Sequence, residues 1–452
     1  MNFLMDFVIE AKSLCSTGLL LEQGTVKVKL HSLICDAPAR SYILNVKGHT
    51  GYFGCGKCTQ EGSSHKRRVV FSASRGNLRT DSGFRELAQE EHHLGGTIFS
   101  ELPINLVTQV PFEYMHLVCL GVTRKLINLW LKGEVSRFRL SSKDVFTISA
   151  GLIKCKPFFP SEFSRKPRSL QFIATWKATE LRSFLLYTGP VVLRKVLPHN
   201  LYLHFLTFHF AISVLCHPTL YKYLNVYAGE LLDYFVSNFQ SLYGKENLSY
   251  NVHGLLHLAR DSLHLGPLDS FSAFRFESHL GFLKSLLRSP NRPLEQVYNR
   301  ILERESTVFG SPLSIQSIVY KFKHSQGPNC GIAGDQFKFV KLKEFTIRIS
   351  KGNNIVQLQS GTVIEVANII SKIGGGTVLI ARPHQPLSPL YSDPADSGIL
   401  GIVELESAPS QSYSAYPLNL IHRKCVTLPL NKRLICFPLI HTGIVRDGLH
   451  HY

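Results

Sequence analysis

Apolar residues recur at helical spacing over much of the chain. An amphipathic helix is predicted over residues 1–18, and further helices over residues 113–132, 176–188, 200–216 and 220–242. The last of these carries apolar residues along one side, as a helix packed on a core does: Leu224, Ala228, Leu231, Phe235, Phe239 and Leu242. The pattern predicts a region in which helices dominate.

A short stretch near the N-terminus alternates instead as a strand does. "EQGT" at residues 22–25 predicts a turn, and the alternation then begins with Val26, Val28, Leu30 and Leu33. Asp36 follows at the C-terminal end of this predicted strand. Open α/β sheets usually place their chemistry at that edge, which makes Asp36 a candidate site residue. The alternative is a turn in which Asp36 only bonds to the backbone.

Beyond about residue 310 the pattern changes to short β-rich runs separated by Gly, Asn, Ser and Pro. The runs are "KFVKLKEFTIRIS", "NIVQLQSGTVIEVANI", "GTVLIAR", "GILGIVELE" and "RLICFPLI". They predict a small antiparallel sheet or barrel. We place the boundary between residues 305 and 335, with a loop rich in Pro and Ser over residues 383–412.

Composition indicates a folded protein and the kind of partner that it binds. The chain has 452 residues, of which 44% are hydrophobic and 18% charged, which is typical of a folded protein with two or three domains. Fifty Lys and Arg against thirty-two Asp and Glu give a formal charge of +18. Such a charge favours a polyanionic partner. We expect nucleic acid rather than an acidic membrane surface.

The chain lacks the sequence features of membrane or secreted proteins. No apolar run reaches about 18 residues, the length that a membrane helix needs. The segment "MNFLMDFVIEAKSLC" has neither the basic start nor the cleavage site of a signal peptide. We therefore expect a soluble intracellular protein without a membrane partner. Its ten cysteines are scattered, which argues against a disulfide framework.

One cysteine pair and one histidine pair have metal-ligand spacing. Cys55 and Cys58 form a Cys-x-x-Cys pair, and His253 and His257 lie four apart, on one face of a helix. Together they complete a Cys2His2 set for Zn²⁺, which would fasten the helical region at both ends. The alternatives are buried thiols or an iron–sulfur or redox pair for the cysteines, and hydrogen-bonded core residues for the histidines.

Glu277 begins a second helix of interest. The pattern predicts that Phe276, Leu280, Leu283 and Leu287 form its buried stripe, and the neighbouring face holds Glu277, Gly281, Lys284 and Arg288. A carboxylate followed by cations one and two turns later suits a divalent metal beside a phosphate backbone. The alternative is an ordinary carboxylate that interacts with the helix dipole.

Five sequence blocks occur in a fixed order: "ICDAPAR…KGHTGYFGCGKCTQEG", "LPINLVTQVPFEYMHLVCLGVTRKL", "WKATELRSFLLYTGPVVL", "YNVH" and "SFSAFRFESHLGFLKSLLR". Together they resemble the catalytic domain of eukaryotic cut-and-paste DNA transposases, most closely the CACTA (En/Spm) group and its host-gene relatives. The resemblance covers roughly residues 1–310, and the ordered set is more specific than any one block.

The resemblance implies a ribonuclease-H-like fold with a helical insertion before the last catalytic helix, and a nuclear protein. Three carboxylates would bind two Mg²⁺ or Mn²⁺ ions, one to activate the attacking water or 3′-hydroxyl and one to stabilise the leaving oxygen. By motif match, Asp36 is the second carboxylate and Glu277 the third. The ancestral activity would be cleavage and joining of DNA strands.

The resemblance also assigns residues outside the carboxylate set. In "EYMH", Glu113 and His116 match an acidic or cysteine residue followed three positions later by a histidine near the cleaved strand. The alternative for His116 is a buried hydrogen-bonding residue. The Cys2His2 set is similar to that of Transib transposases and the related antigen-receptor recombinase, where zinc ties the insertion to the core. The His-x₃-His spacing here is one residue shorter.

The family's first catalytic aspartate lies on the first strand, in a segment that reads roughly Asp-Gly-Leu-Pro. No such segment precedes "ICDAPAR" here, and Asp6 lies in a helical pattern. We therefore expect a catalytically incomplete protein, and keep as alternatives a non-catalytic DNA-binding protein and a protein-interaction protein, with homo-oligomers left open. The expected organisation is an incomplete ribonuclease-H-like core (1–60), the helical insertion (61–260), the final catalytic helix region (261–310) and the β-rich domain (320–445).

Overall fold

The computed structural model describes residues 2–134, 137–308 and 318–440. A helical region is followed by a C-terminal β-rich domain with a large antiparallel sheet. This confirms the coarse division into a helical part and a β-rich part. Residues 309–310 of the predicted catalytic helix region and residues 441–445 of the predicted β-rich domain lie outside the described residues.

The α-helices of the described ranges are α1 (Met5–Thr17), α2 (Ala37–Leu44), α3 (Asp81–Arg85), α4 (Arg124–Lys132), α5 (Ser142–Cys155), α6 (Ala178–Ser183), α7 (Gly189–Val192), α8 (His199–Cys216), α9 (Leu220–Tyr223), α10 (Asn225–Tyr243), α11 (Tyr250–Gly254), α12 (Leu258–Leu265), α13 (Phe274–Leu286) and α14 (Pro293–Val308). Two π-helical segments, Met115–Thr123 and Phe184–Thr188, run directly into α4 and α7. A 3-10 turn, Leu255–His257, connects α11 to α12.

The helices predicted from periodicity are confirmed, except that the one predicted over residues 220–242 is divided at Leu224 into α9 and α10. The apolar stripe of α10 lies in the core, where Ala228, Phe235 and Phe239 are fully buried. α8 is buried on nearly all sides, since its sequence is apolar around the whole helix. Within the ranges that the structure covers, none of the helices combines the length and apolarity that a bilayer crossing needs.

The strand predicted from Val26 onward is wrong. A hairpin of β1 (Leu19–Leu21) and β2 (Gly24–Val26) makes the predicted turn, but residues 27–36 have no regular structure. Among the described residues no strand pairs with this segment, so its backbone bonds elsewhere. Leu33 donates to the carbonyl of Gln109, and the Gln109 side chain donates to the carbonyl of Leu30.

The remaining strands are β3 (Ser63–His65), β4 (Arg68–Val70), β5 (Val319–His324), β6 (Gly334–Lys341), β7 (Thr346–Arg348), β8 (Ile355–Leu358), β9 (Val363–Lys372), β10 (Thr377–Pro383), β11 (Pro386–Pro389), β12 (Val403–Glu406), β13 (Ser414–Pro417), β14 (Ile421–Leu430) and β15 (Arg433–Pro438). β3 and β4 form a hairpin. The strands from β5 onward form one sheet with antiparallel pairings, in the order β11-β12-β15-β14-β8-β9-β10-β13, with β6 joining β5 and β7 to β9.

The β-rich domain packs on the helical region through a shared core. Val426 and Phe437 of the sheet belong to the same apolar cluster as the helical residues Trp130 and Phe205. Buried polar contacts cross the same junction. Lys424 donates to Glu162 at 2.7 Å, and both side chains are largely buried. The packing joins the two parts more closely than the sequence pattern indicates.

Candidate metal centre and adjacent cavity

Cys55 and Cys58 lie in the loop between α2 and β3. Backbone hydrogen bonds hold this loop against residues 77–79: Thr59 donates to the carbonyl of Asn77, and Arg79 donates to the carbonyl of Lys57. The Arg79 side chain also donates from Nε to the Cys55 carbonyl at 3.0 Å. Gly54 is required before the pair, because a Cβ there would collide with the carbonyl oxygen of Gly48.

His253 and His257 come from the other end of the helical region. His253 lies in α11, and His257 ends the 3-10 turn that follows. The ring of His253 stacks on Phe71, with 5.2 Å between the ring centroids. Both histidines and both cysteines are buried. The structure therefore brings together the four residues that sequence spacing predicts as a set.

The distances between the four side chains fit a tetrahedral metal site. Sγ of Cys55 lies 3.6 Å from Nε2 of His257 and 3.6 Å from Sγ of Cys58, and Sγ of Cys58 lies 3.3 Å from Nε2 of His253. Ordinary zinc bond lengths place two sulfurs of a tetrahedron about 3.8 Å apart, and a sulfur and a nitrogen about 3.6 Å apart. The group can hold a metal such as zinc.

These two histidines differ from other buried histidines of this protein. His204 and His209 each bond a backbone carbonyl through a ring nitrogen, at 2.9 and 2.8 Å. His253 and His257 instead direct Nε2 at the thiols. Burial lowers the pKa of His257, as it does for His204 and His209, and so favours the neutral imidazole that binds metals. The direction of Nε2 toward the thiols favours metal ligands over ordinary core histidines.

A buried ion pair supports the group from one side, and sequence reasoning missed it. Lys57 lies between the two cysteines and contacts Asp261, with 2.7 Å between Nζ and Oδ1. Its ammonium also donates to the carbonyl of Val107, and Asp261 accepts from the backbone of Phe112. The signal was available: Asp261 follows His257 by four positions, as His257 follows His253.

Asp36 and His116 line a neighbouring cavity of about 270 Å³. Arg40 also lines it, with its guanidinium 4.2 Å from the centre of the Phe112 ring. Asp36 is the N-cap of α2, and its Oδ1 accepts from the backbone of Ala39 at 2.8 Å. The predicted place of Asp36 at a strand end is wrong, since its position is that of a helix-capping residue.

Glu113 links this cavity to the start of α13. The buried carboxylate accepts hydrogen bonds from the backbone of Met115, His116 and Ala273. It also contacts Nδ1 of His116 at 2.7 Å. The hydrogen bond with Glu113 raises the pKa of His116, and the charges of Asp36 and Glu277 act in the same direction. His116 thus lies among three carboxylates, one of which holds it in place.

Glu277 lies in the first turn of α13, as predicted, but the predicted burial of this helix is wrong. Phe276 and Leu280 are 55% and 57% exposed, and α13 contains no buried residue. The Glu277 side chain is exposed as well. Among the described residues, the Cys2His2 group alone brings three or more His, Cys, Asp or Glu side chains close enough to share one metal ion. Asp36 and Glu277 do not belong to such a group of three or more side chains within the described residues.

Comparison with known proteins covers the β-rich domain. A family described as a domain of unknown function (DUF8592) matches residues 323–439, about a quarter of the chain. No curated protein and no solved structure matches the chain. The matched range begins within β5 and ends after β15, so the metal centre and the cavity lie outside it.

Proposed function

We propose that this protein is a transposase-derived, non-catalytic DNA-binding protein of the nucleus, whose helical region is held by a structural zinc ion. The observation that carries the proposal is the Cys2His2 group. It brings Cys58 of the first transposase-like block to His253 of "YNVH", 195 positions away, and Cys55 to His257, 202 positions away. A zinc ion there would fasten the loop that follows α2 to the α11–α12 segment.

The charge balance supports a DNA partner. With a formal charge of +18, the protein attracts polyanions, and duplex DNA carries about one negative charge per 1.7 Å of helix axis. Binding of this kind weakens as salt rises, because each neutralised phosphate releases counterions. The resemblance to transposases points to the same class of partner.

The arrangement of the carboxylates favours binding without cleavage. Two-metal cleavage needs carboxylates that converge on both ions. Here Asp36 caps α2, Glu277 is exposed, and Glu113 is occupied by hydrogen bonds to backbone amides. In this proposal these residues are the remains of a ribonuclease-H-like site, with His116 beside the position of the scissile phosphate. We propose that they no longer act as one.

The test compares binding and nicking of supercoiled and linear duplex DNA. We expect salt-sensitive binding, and no nicking with Mg²⁺ or Mn²⁺, in both the wild-type protein and the Glu277→Gln variant. Nicking that requires a divalent metal and disappears in Glu277→Gln would contradict the non-catalytic proposal. Failure to bind DNA at moderate salt would contradict the DNA-binding proposal and leave a protein-interaction role.

A further inference from the structure

A basic groove lies where the β-rich domain meets the helical region. Two of its cations, Arg194 and Lys195, follow α7, and two others, Lys432 and Arg433, lie in the turn and strand after β14. The groove encloses about 480 Å³. Glu404 of β12 is the single carboxylate in its lining. The lining therefore carries four cationic side chains against one anionic side chain.

Glu404 organises the two arginines. Its carboxylate is buried and accepts from Nη1 of Arg194 at 2.7 Å and from Nη1 of Arg433 at 2.6 Å. Burial alone would raise the pKa of Glu404, but the hydrogen bonds from the two guanidinium groups outweigh it and lower the pKa. Each guanidinium has further N–H donors beyond Nη1. The carboxylate thus fixes both arginines while leaving donors for another acceptor.

The amino groups of the two groove lysines, Lys195 and Lys432, have no hydrogen-bond or ion-pair partner within the described residues. Both side chains are exposed. Glu406 is the nearest other acidic residue in register, opposite Arg433 on β12, but it does not line the groove. Solvated lysines beside oriented arginines are a usual arrangement for binding phosphate groups.

We infer that this groove binds phosphate groups. Oriented arginines can bond phosphate oxygens in pairs, whereas lysines supply charge without fixed geometry. The backbone of nucleic acid is the favoured source, and this part of the inference rests on the DNA binding proposed above. A free polyphosphate has the same chemistry and is the other source. The β-rich domain contains neither the metal centre nor the cavity near Asp36. The groove would give this domain a surface that contacts a ligand.

The test removes the two groove lysines. Lys195→Ser with Lys432→Ser reduces the groove charge by two without breaking a side-chain hydrogen bond or ion pair of the described residues. Lys343→Ser with Lys372→Ser is the control of equal charge change, since both lysines are exposed and lie in the β-rich domain outside the groove. Each protein is titrated with labelled duplex DNA at several salt concentrations, and separately with tripolyphosphate in a thermal-shift assay. Denaturant midpoints check that both double variants fold.

For the groove variant we expect DNA affinity to fall roughly tenfold, and the slope of log affinity against log salt to become shallower by about 2. The thermal shift with tripolyphosphate should also shrink in this variant, and the control variant should behave as the wild type. Equal weakening in both double variants would overturn the inference, because only total charge would matter. Unchanged binding of both probes in the groove variant would overturn it too, while leaving DNA binding intact.

One outcome separates the two sources of phosphate. If the wild-type protein binds tripolyphosphate through the groove lysines but does not bind DNA, the proposed DNA-binding function fails. The groove would then stand as a site for free polyphosphates or nucleotides.

Discussion

The Cys2His2 group and the carboxylates around His116 were both predicted from the sequence, yet their geometry in the structure differs. The four ligands of the group are buried and separated by distances that suit one tetrahedral ion. Asp36 and Glu277 also come near His116, but one caps a helix and the other faces solvent. The first set is a group of four potential ligands, whereas the second belongs to no group of three or more within the described residues.

The difference follows from what surrounds each set. The thiol and imidazole donors have the ion pair of Lys57 and Asp261 beside them, and the Arg79 side chain holds the Cys55 carbonyl. Such outer contacts orient ligands before a metal arrives. Glu277 has no comparable support, since its helix contains no buried residue. The comparison teaches that support around the ligands separates an assembled site from a loose one.

Removal of zinc should have the largest effect. Structural zinc in small domains supplies on the order of 10 kcal/mol of binding free energy, which adds to folding stability. A strong chelator, or Cys55→Ser with Cys58→Ser, should therefore lower the melting temperature markedly and expose the core around Phe71. Differential scanning calorimetry checks this expectation. Cys330→Ser is the control, since Cys330 is exposed and outside the group. An unchanged melting temperature after complete chelation would contradict a stabilising metal.

Loss of the ion pair beside the metal centre should come next. Lys57→Met leaves the Asp261 carboxylate buried without its cation, which destabilises a protein by about 3–5 kcal/mol when the pair is fully buried. Urea denaturation of the zinc-loaded protein measures the free energy of unfolding. The exposed pair of Lys12 and Glu101 provides the control, because Lys12→Met should change stability by less than about 1 kcal/mol. Equal effects of the two substitutions would contradict a special stabilising role for the buried pair of Lys57 and Asp261.

Substitution of Glu113 tests how firmly the carboxylates around the cavity are held. Glu113→Gln keeps the shape but leaves one of the buried amide donors less well satisfied, so we expect a loss of about 1–3 kcal/mol. The pKa of His116 should fall in this variant, because the hydrogen bond with Glu113 is the main cause of its rise. NMR titration of the imidazole measures the shift. A pKa that stays raised in Glu113→Gln would assign the shift to Asp36 and Glu277 instead.

Because the pKa of His116 is raised, the direction in which the free energy of unfolding changes with pH can be predicted. A histidine whose folded pKa exceeds its unfolded value contributes stability in full below about pH 6.5. That contribution is lost as pH rises through the folded pKa. The free energy of unfolding of the wild type, relative to His116→Gln, should therefore decrease from slightly acidic to slightly alkaline pH.

The carboxylates expected at the catalytic site should give the smallest effects. Asp36→Asn keeps a good N-cap and Glu277→Gln changes an exposed side chain, so each should change stability by less than about 0.5 kcal/mol. Asp36→Ala removes the cap and should destabilise by about 1 kcal/mol. Thermal melts with and without Mg²⁺ check both statements. A rise in melting temperature with Mg²⁺ that disappears in Asp36→Asn would show a working metal site at the cavity.

Local patterns predicted much of the fold. Helical periodicity located α8 and α10, and period-2 runs located β9 and β10, because both signals arise within one element. The pattern missed β14, a strand at the centre of the sheet, since His422, Arg423 and Lys424 interrupt its apolar run. Lys424 is nevertheless buried, because Glu162 of the helical region pairs with it. A pairing across regions leaves no signal in local sequence.

For the candidate sites too, features fixed by a local pattern were predicted, and features that depend on another element were not. Cys-x-x-Cys and His-x₃-His each fix a local geometry, so two short patterns predicted the group correctly. The burial of α13 could not be predicted from its apolar stripe, because a stripe shows which face can be buried and not whether another element covers it. The strand expected before Asp36 failed for a related reason: alternation shows two faces, while a strand also needs a neighbour for its backbone.

The most direct test of the account is the metal content and coordination of the purified protein. Elemental analysis of the wild type and of the variant with Cys55→Ser and Cys58→Ser counts the ions, and X-ray absorption at the zinc edge identifies the ligands. The account predicts one zinc ion per chain with two sulfur and two nitrogen neighbours, lost in the variant. A wild-type protein without zinc, or zinc that remains in the variant, would contradict it.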